Sequence, residues 1–349
     1  MKKIPVGILG ATGTVGQRLA LLLADHPWFE VTALAASGRS AGARYADACH
    51  WLLPAAMPAS VRRLVIAPLE AVPACRLVFS ALPADVAGPL EERLAAEGCA
   101  VCSNASAHRL DPNVPLLVPE VNAGHADLIG EQRRRRGGRG FIAANPNCSA
   151  APLSLVLKPL SEAFGLRRVS VVTMQAVSGA GYPGVPAPDI LDNIIPHIAG
   201  EEEKVEREPR KLLGTLREGR VEEAQFILSA QCNRVGVRDG HTGCVSLEFE
   251  RRPRVEEVVA ALEAFRAGPD ASGLPSSPPR PVVVRREDDR PQPLRDRDEG
   301  GGMAVVVGRV RPCPAFHVKL VLLGHNTVRG AAGGTVHIGE LLLARGWLA

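Results

Sequence analysis

The sequence has few aromatic residues, no long hydrophobic run and little excess of either charge. Phe, Trp and Tyr make up 4% of the 349 residues, so the cores must be built from Leu, Val and Ala. No segment approaches the length of a membrane span, so we expect no membrane association. The net charge is only +4, and the densest basic run, Arg133–Arg136 with Arg139 nearby, contains no aromatic residue. We interpret this run as a solvated loop and expect no nucleic-acid partner.

Metal-ligand patterns and an export signal are also missing. Cys99 and Cys102 form a C-x-x-C pair, but the residues around Cys102 are typical of a buried strand, and no second pair of ligands follows. We therefore expect no metal site. Met1-Lys2-Lys3 leads directly into a predicted strand instead of an apolar signal core. The eight cysteines are accordingly expected to be free thiols in the reducing cytoplasm.

The chain is long enough for two domains, and its first part alternates strands with helices. A parallel sheet with helical crossovers is the expected result. The predicted elements are strands over residues 4–9, 30–35, 76–82 and 100–102, with helices after the first strand and through Leu90–Ala95.

The first predicted strand ends in a glycine-rich turn that opens a helix. Glycines in such a turn let the backbone approach a pyrophosphate, and the helix N-terminus offers free N–H groups. The spacing is G-x-x-G-x-x-G instead of the usual G-x-G-x-x-G, so an ordinary strand–helix turn is the alternative. The candidate cofactor residues of this turn are Gly10, Thr12, Gly13, Thr14 and Val15.

The second predicted strand is followed by Ser37-Gly38-Arg39-Ser40. An acidic residue at this point would select NAD by binding the adenosine ribose. An arginine with two hydroxyls instead fits a 2′-phosphate, because the guanidinium can donate two parallel hydrogen bonds. We predict NADP as the cofactor, with Ser37, Arg39 and Ser40 as ligands; a solvated loop arginine is the alternative.

From residue 168 the pattern becomes that of an α+β domain. Residues 268–302 are rich in Pro, Asp and Arg, and we expect an ordered excursion there because a long mobile tether inside a domain is unusual. The predicted elements are strands over 169–175, 226–230, 244–249, 282–284 and 304–310, and helices over 200–213, 255–265 and 335–349, the last returning to the first domain.

Between the two parts lies Asn145-Pro146-Asn147-Cys148-Ser149, followed by an apolar run with the spacing of one helix face. A thiol at a helix N-terminus faces unpaired N–H groups and the positive end of the helix dipole, which both favour the nucleophilic thiolate. Cys148 is therefore a candidate nucleophile; a buried structural cysteine is the alternative.

With Cys148 placed, several blocks of the chain closely resemble aspartate-semialdehyde dehydrogenase, nearest its archaeal and fungal branch. They occur in family order over almost the whole chain. The matching blocks are 145–149, Gln175 to Gly184, 189–193, 200–204, Asn233-Arg234-Val235 with Asp239-Gly240-His241, and 325–333.

The resemblance implies a reversible, NADP- and phosphate-dependent conversion of L-aspartate 4-semialdehyde to L-4-aspartyl phosphate through a cysteine thioester. It implies an α/β fold with an N-terminal Rossmann-type dinucleotide-binding domain and a second α+β catalytic and dimerisation domain. We predict the first domain at residues 1–147, completed by a C-terminal helix over 327–349, and the second at 148–326. A homodimer or homotetramer is the family expectation.

The resemblance also implies individual roles. Cys148 matches the nucleophile, His241 the acid–base catalyst and Gln175 the residue that orients the acyl group. Arg234 matches the ligand of the substrate carboxylate, and Glu201 that of its ammonium group. Arg109 and Lys204 match the family's phosphate ligands. The residues that match positions near the cofactor are Ser178, Gly179 and Asn326.

Two departures from the family pattern leave substrate preference open: Ala150 stands where Thr is common, and Gly236 where Pro is frequent. Malonyl-CoA reductases share this architecture, and N-acetyl-glutamyl-phosphate reductase shares the thioester chemistry but usually has Pro-Gly-Cys at the nucleophile. A catalytically silent NADP-binding regulatory protein is the non-enzymatic alternative.

Overall fold

The first half of the chain forms a parallel sheet of six strands. The computed structural model describes residues 2–348. The strands are β1 (Ile4–Leu9), β2 (Phe29–Ala36), β3 (Ile66–Pro68), β4 (Leu77–Ser80), β5 (Ala100–Ser103) and β6 (Phe141–Ala144). Their order, β3-β2-β1-β4-β5-β6, is that of a doubly wound dinucleotide-binding fold. The predicted parallel sheet is confirmed, and its carboxyl ends face the glycine turn.

Helices cover both faces of this sheet, as the crossovers require. They are α1 (Thr14–Leu22), α2 (Tyr45–Ala48), α3 (Ala59–Arg62), α4 (Ala84–Ala96), α5 (Pro119–Asn122) and α6 (Leu128–Arg136). Short 3₁₀ turns lie at Leu69–Ala71 and Ala123–Asp127.

The second half forms a mixed sheet of six strands and a small separate hairpin. The strands of the chain's second half are β7 (Leu166–Ala176), β8 (Thr215–Arg217), β9 (Arg220–Glu222), β10 (Ile227–Val235), β11 (His241–Phe249), β12 (Val282–Val284), β13 (Val305–Pro312) and β14 (Val318–Gly324). The large sheet has the order β10-β7-β11-β14-β13-β12, and β8 pairs with β9. The predicted strands are confirmed, although several begin or end a few residues away from the expected positions.

One face of the second sheet is covered by helices, and the other is open. The helices of this half are α7 (Ala150–Phe164), α8 (Ala187–Ile190), α9 (Glu201–Leu212), α10 (Val255–Ala264), α11 (Pro293–Asp296) and α12 (Gly333–Ala344), with 3₁₀ turns at Val177–Ala180 and Glu299–Gly302 and a π-turn at Val328–Ala332. Along β7, Val169 and Val171 are buried, whereas Ser170 and Val172 are only half-buried. This period of two is the signature of a sheet with one uncovered face.

The end of the chain returns to the first domain. Val336, Ile338, Leu341 and Leu342 of α12 belong to the same buried cluster as the first sheet. The Glu340 carboxylate accepts a 2.8 Å hydrogen bond from Nε2 of His26. The other ring nitrogen of His26, Nδ1, accepts hydrogen bonds from the backbone amides of Trp28 and Phe29. Helix α12 therefore packs in the core of the first sheet, while the division of the chain into domains at 147–148 and 326–327 stays a prediction.

The excursion over residues 268–302 is ordered. Val282–Val284 pairs in parallel with β13, and Ala271 and Leu274 are buried in the first domain's core. The segment therefore connects the two halves of the molecule, which explains why its unusual composition does not make it a free linker.

The arginine run is helical, so the predicted loop is wrong, although Arg134 and Arg135 are solvent-exposed as expected. Arg133–Arg136 forms the last turn of α6, which ends at Gly137. The Arg133 guanidinium lies over the rings of Phe141 and Trp347, and its Nη2 donates to the Trp347 carbonyl at 2.7 Å. The run gave no sign of this, because both aromatic partners come later in the chain.

Within residues 2–348, no helix is long and apolar enough to cross a membrane. The same residues contain no group of three or more His, Cys, Asp or Glu side chains placed to hold a metal ion. All eight cysteines are free.

Candidate active site

A cavity of about 1010 Å³ lies between the two domains. It is lined by residues from the carboxyl ends of the first sheet and by residues of the second domain. All but two of the predicted site residues line it, although they come from segments more than 300 residues apart. These are Gly10, Thr12, Gly13, Thr14, Val15, Ser37, Arg39, Arg109, Cys148, Gln175, Ser178, Gly179, Glu201, Lys204, Arg234 and Asn326.

The glycine turn has the geometry of a phosphate-binding turn. Gly10 has a φ of +72°, and a Cβ at Gly16 would lie 2.2 Å from the Gly10 carbonyl oxygen. Both positions therefore require glycine, which brings the N-terminus of α1 against the strand end. Thr14 Oγ1 is buried and has no hydrogen-bond partner within the described residues. A free hydroxyl beside unpaired N–H groups fits a bound diphosphate.

Ser37 and Arg39 line the end of the cavity that follows β2. Glu201, at the far end beside Cys148, is the one carboxylate among the lining residues that the structure describes. An exposed guanidinium without an acidic neighbour fits a 2′-phosphate better than a 2′-hydroxyl. Ser40 is the first predicted residue that does not line the cavity; its amide closes the turn by donating to the Ser37 carbonyl at 2.9 Å.

Cys148 lies two residues before the start of α7, and the Asn147 side chain caps the turn that leads into this helix. Asn147 Oδ1 accepts hydrogen bonds from the backbone amides of Ser149 and Ala150 at 2.8 and 3.1 Å. Burial, followed by the neighbouring Glu201 carboxylate, raises the pKa of the Cys148 thiol to about 12, against the opposing effect of Arg109 and Arg234. Burial therefore opposes the thiolate that the helix N-terminus favours, and the ionised form of Cys148 stays a prediction.

The Glu201 carboxylate is held by two amides beside Cys148. Its Oε1 accepts from Asn147 Nδ2 at 2.8 Å and from Gln175 Nε2 at 3.0 Å. Its Oε2 lies 3.8 Å from Lys204 Nζ. The neighbouring Glu202 does not line the cavity; its carboxylate accepts a hydrogen bond from the Cys232 amide.

Arg234 and His241 meet behind Gly179. A Cβ at Gly179 would lie 2.8 Å from Arg234 Nη1 and 3.1 Å from His241 Nε2, so only glycine lets this loop lie against both groups. Arg234 is 6% exposed, and its Nη1 donates to the Ala176 carbonyl at 2.8 Å. His241 is the second predicted residue outside the lining of the large cavity; it contacts a small neighbouring space shared with Ser149.

The His241 ring has a defined tautomer. Its Nδ1 accepts the backbone amide of Ala176 at 3.0 Å, so the proton of the neutral ring is on Nε2. Burial, and then Arg234 and His325, lowers the pKa of His241 to about 3, which keeps the ring neutral. Nε2 has no partner within the described residues and is thus available as a donor.

Asn326 lines the cavity and connects two loops to each other. Its Oδ1 accepts from the Gly240 amide and its Nδ2 donates to Ser178 Oγ, both at 2.8 Å. These bonds fix the loop that contains Ser178 and Gly179 relative to the residue before His241.

Sequence reasoning missed Asn147, Asn104, Tyr182 and Glu208. Tyr182 and His50, from different domains, face each other at the cavity with ring centroids 5.6 Å apart. Glu208 accepts hydrogen bonds from Arg109 and from the Asn147 backbone. Only its spacing of seven residues from Glu201 on one helix could have indicated this, and in a highly charged helix that spacing is also typical of a solvated face.

Two family models match most of the chain. Residues 5–129 match "Semialdehyde dehydrogenase, NAD binding domain", and residues 157–329 match "Semialdehyde dehydrogenase, dimerisation domain". A curated protein of Methanothermobacter thermautotrophicus named aspartate-semialdehyde dehydrogenase is 53% identical, over 97% of this chain and 99% of that protein. The Saccharomyces cerevisiae protein of the same name is 45% identical, over 99% of this chain and 98% of that protein.

The fold agrees with these sequence comparisons. The crystal structure of aspartate semialdehyde dehydrogenase with NADP from Candida albicans superposes with a TM-score of 0.90 at 43% identity, covering 99% of this chain and 100% of that chain. A Vibrio cholerae aspartate semialdehyde dehydrogenase II superposes with a TM-score of 0.78 at 28% identity, covering 98% of this chain and 99% of that chain.

Proposed function

Because the chain belongs to the aspartate-semialdehyde dehydrogenase family, we propose that it interconverts L-aspartate 4-semialdehyde and L-4-aspartyl phosphate through a thioester on Cys148. It is an NADP-dependent oxidoreductase of amino-acid biosynthesis, on the route to threonine, methionine, isoleucine and lysine. The observation that carries the proposal is the convergence on one cavity of a thiol, two arginines and the glycine turn.

The chemistry follows from the groups around Cys148. In the biosynthetic direction the Cys148 sulfur attacks the acyl carbon of aspartyl phosphate; a C–S bond forms and the C–O bond to phosphate breaks. Arg109 and Lys204 hold the departing phosphate, and Arg234 holds the substrate carboxylate. NADPH, when bound, supplies the hydride that reduces the acyl group. Cleavage of the C–S bond then releases the aldehyde and regenerates the Cys148 thiolate.

Glu201 links substrate binding to nucleophile activation. Burial and, after it, the negative charge of Glu201 raise the pKa of Cys148, which favours the protonated thiol before substrate binds. When the substrate ammonium group pairs with Glu201, that charge is neutralised, and the pKa of Cys148 falls. Substrate binding at Glu201 therefore shifts Cys148 toward the thiolate.

His241 contributes its Nε2 proton at the reacting oxygen. A neutral ring with Nε2–H donates a hydrogen bond to the negative oxygen that develops on the acyl carbon in either direction. The acid–base role predicted from the sequence would have Nε2 accept a proton. A neutral ring that accepts at Nε2 carries its proton on Nδ1, so the hydrogen bond from the Ala176 amide to Nδ1 must first break. That role stays a prediction.

The reaction is tested by following NADPH formation from aspartate semialdehyde and NADP. Activity that depends on phosphate supports the proposal. Activity with malonyl-CoA or with N-acetyl-glutamyl phosphate in place of the aspartyl substrate identifies one of the two related reductases. NADPH binding without turnover of any of these substrates identifies the regulatory protein.

Arg39 is expected to select NADP. Replacing Arg39 by alanine removes a bidentate ligand of the 2′-phosphate, worth roughly 1.5–3 kcal/mol for a hydrogen bond to a charged group. We expect the KM for NADP to rise about 10- to 100-fold while the KM for NAD stays within twofold. Steady-state kinetics with both cofactors measure this. Arg62→Ala, on α3 outside the cavity, is the control; an equal loss with NAD contradicts the assignment.

We propose that a second copy of the chain packs on the open face of the second sheet. A row of uncharged residues crosses this face in register, Gln231 beside Val172, then Cys244, then Val321. The face lies within the segment that matches a dimerisation domain. Two such faces stacked about a twofold axis form an isologous homodimer; a homotetramer would require another interface.

We also propose that the enzyme is in the cytoplasm, where its free thiols remain reduced.

The dimer is tested by adding a charge to the open face. Val172→Asp places one carboxylate per subunit in the stacked sheets, and we expect the dimer Kd to rise at least about 100-fold, since an unpaired buried charge costs several kcal/mol. Sedimentation velocity measures the change. Val65→Asp, at a valine on the first domain that is 59% exposed, is the matched control. An unchanged dimer in Val172→Asp places the interface elsewhere.

A further inference from the structure

Helix α9 presents four charged residues on one face toward the first domain. Glu201, Lys204, Glu208 and Lys211 are spaced by three, four and three residues, which places them along one side of a helix. The first two line the cavity. The other two are 1% and 4% exposed, although this helix is the most highly charged of the chain's long helices and solvent-exposed charges would be expected there.

The Glu208 carboxylate divides its two oxygens between two parts of the site. Oε1 accepts from Arg109 Nη1 at 3.1 Å, and Oε2 accepts from the backbone amide of Asn147 at 2.5 Å. Arg109 follows β5 by six residues, whereas Asn147 is the residue before Cys148. One side chain of the second domain thus connects the proposed phosphate ligand to the nucleophile's own backbone.

Lys211 holds the loop that carries Arg109. Its Nζ donates to the carbonyls of Arg109, Asp111 and Val114 at 2.9, 2.7 and 2.8 Å. Arg109 Nη2 in turn donates to the Asn104 carbonyl at 2.6 Å. The guanidinium is therefore oriented by two groups, Glu208 and the Asn104 carbonyl, and its Nε, buried and without a partner in the described residues, remains free beside the cavity.

We propose that Glu208 is a positioning residue for phosphate: it sets the distance between the Arg109 guanidinium and the Cys148 acyl carbon. This inference rests on the proposed function. Phosphate must attack the thioester carbon, or leave it, while bound to Arg109, and a small misplacement of either partner slows such a step strongly. A carboxylate that binds both partners keeps them in one frame. Glu208 touches neither substrate nor the reacting atoms, so it acts through Arg109.

Glu208→Gln tests this role. The amide oxygen can accept from Arg109 or from Asn147, but its NH₂ group opposes the other donor. We expect the KM for phosphate to rise about tenfold, because one charge-assisted hydrogen bond no longer orients Arg109. The KM for NADP is expected to stay within twofold. Glu206→Gln is the matched control, because Glu206 lies on the side of α9 that faces β10, where its carboxylate accepts a hydrogen bond from the Ala230 amide.

A double-mutant cycle separates positioning from a structural role. If Glu208 acts through Arg109, adding Glu208→Gln to Arg109→Ala should raise the KM for phosphate no further. The proposal is overturned if the two substitutions together raise the KM for phosphate by the product of their separate effects, or if Glu208→Gln alone leaves this KM unchanged.

Should Glu208→Gln not fold, Glu208→Asp is the second variant. It keeps the charge but shortens the side chain, and it is expected to raise the KM for phosphate. If the unmutated enzyme shows no phosphate-dependent turnover, the proposed function itself fails, which is a distinct result.

Discussion

Cys148→Ala will lower kcat for aspartate semialdehyde oxidation by at least about 10⁴-fold, the scale seen when a covalent nucleophile is removed. No other sulfur reaches the site: of the eight cysteines, Cys148 alone lines the cavity that the described residues form. Stopped-flow and steady-state measurements of NADPH formation quantify the loss.

NADPH affinity should stay within about twofold in the same variant, since the cofactor site is built mainly from the glycine turn, Ser37 and Arg39. A fluorescence titration of NADPH checks that this site is intact. Cys244→Ser, at an exposed thiol on the open sheet face, is the control and should keep full activity. Substantial turnover by Cys148→Ala would refute the thioester route.

Arg234→Ala will lower kcat/KM for aspartate semialdehyde by about 10²- to 10³-fold, the effect of removing one partner of a buried charge pair. Arg234 is held by the Ala176 carbonyl, lies against Gly179 and lines the cavity, so its remaining donors are available to a bound carboxylate. Arg234→Lys should recover little activity, because an ammonium group cannot bind a carboxylate with two parallel hydrogen bonds.

A substrate that lacks the carboxylate gives the sharpest control for this role. With 3-aminopropanal, which keeps the aldehyde and ammonium groups, the enzyme should be slow, and Arg234→Ala should slow it little further. Steady-state kinetics of both variants on both aldehydes complete the comparison. A large loss on 3-aminopropanal would assign Arg234 to the chemical step or to the fold instead.

Local patterns in the sequence predicted the elements that depend on local physics. The glycine turn between β1 and α1 and the helix after Cys148 follow from spacing and from backbone conformations that few residues adopt. The buried face of α9 does not follow, because Glu208 and Lys211 pair with groups about 60 to 100 residues away. A carboxylate in a charged helix looks the same in sequence whether its partner is water or a distant arginine.

The same distinction applies to the chemistry of the site. The position of Cys148 was predicted, but its pKa depends on how completely the two domains exclude water and on Glu201. The His241 tautomer depends on one amide, that of Ala176, which no motif specifies. The partial burial of Arg133 was missed for a related reason, since Phe141 and Trp347 contact its guanidinium only after folding.

The position of α12 constrains the order of events during protein synthesis. The first sheet is translated early, but part of the layer that covers it comes from residues 333–344, which are translated only after every strand of the second sheet. The nucleotide-binding half therefore acquires its full set of layers only after the second domain has been synthesised. Until then its apolar underside needs protection from other nascent chains, and a premature stop before α12 would leave that surface permanently uncovered.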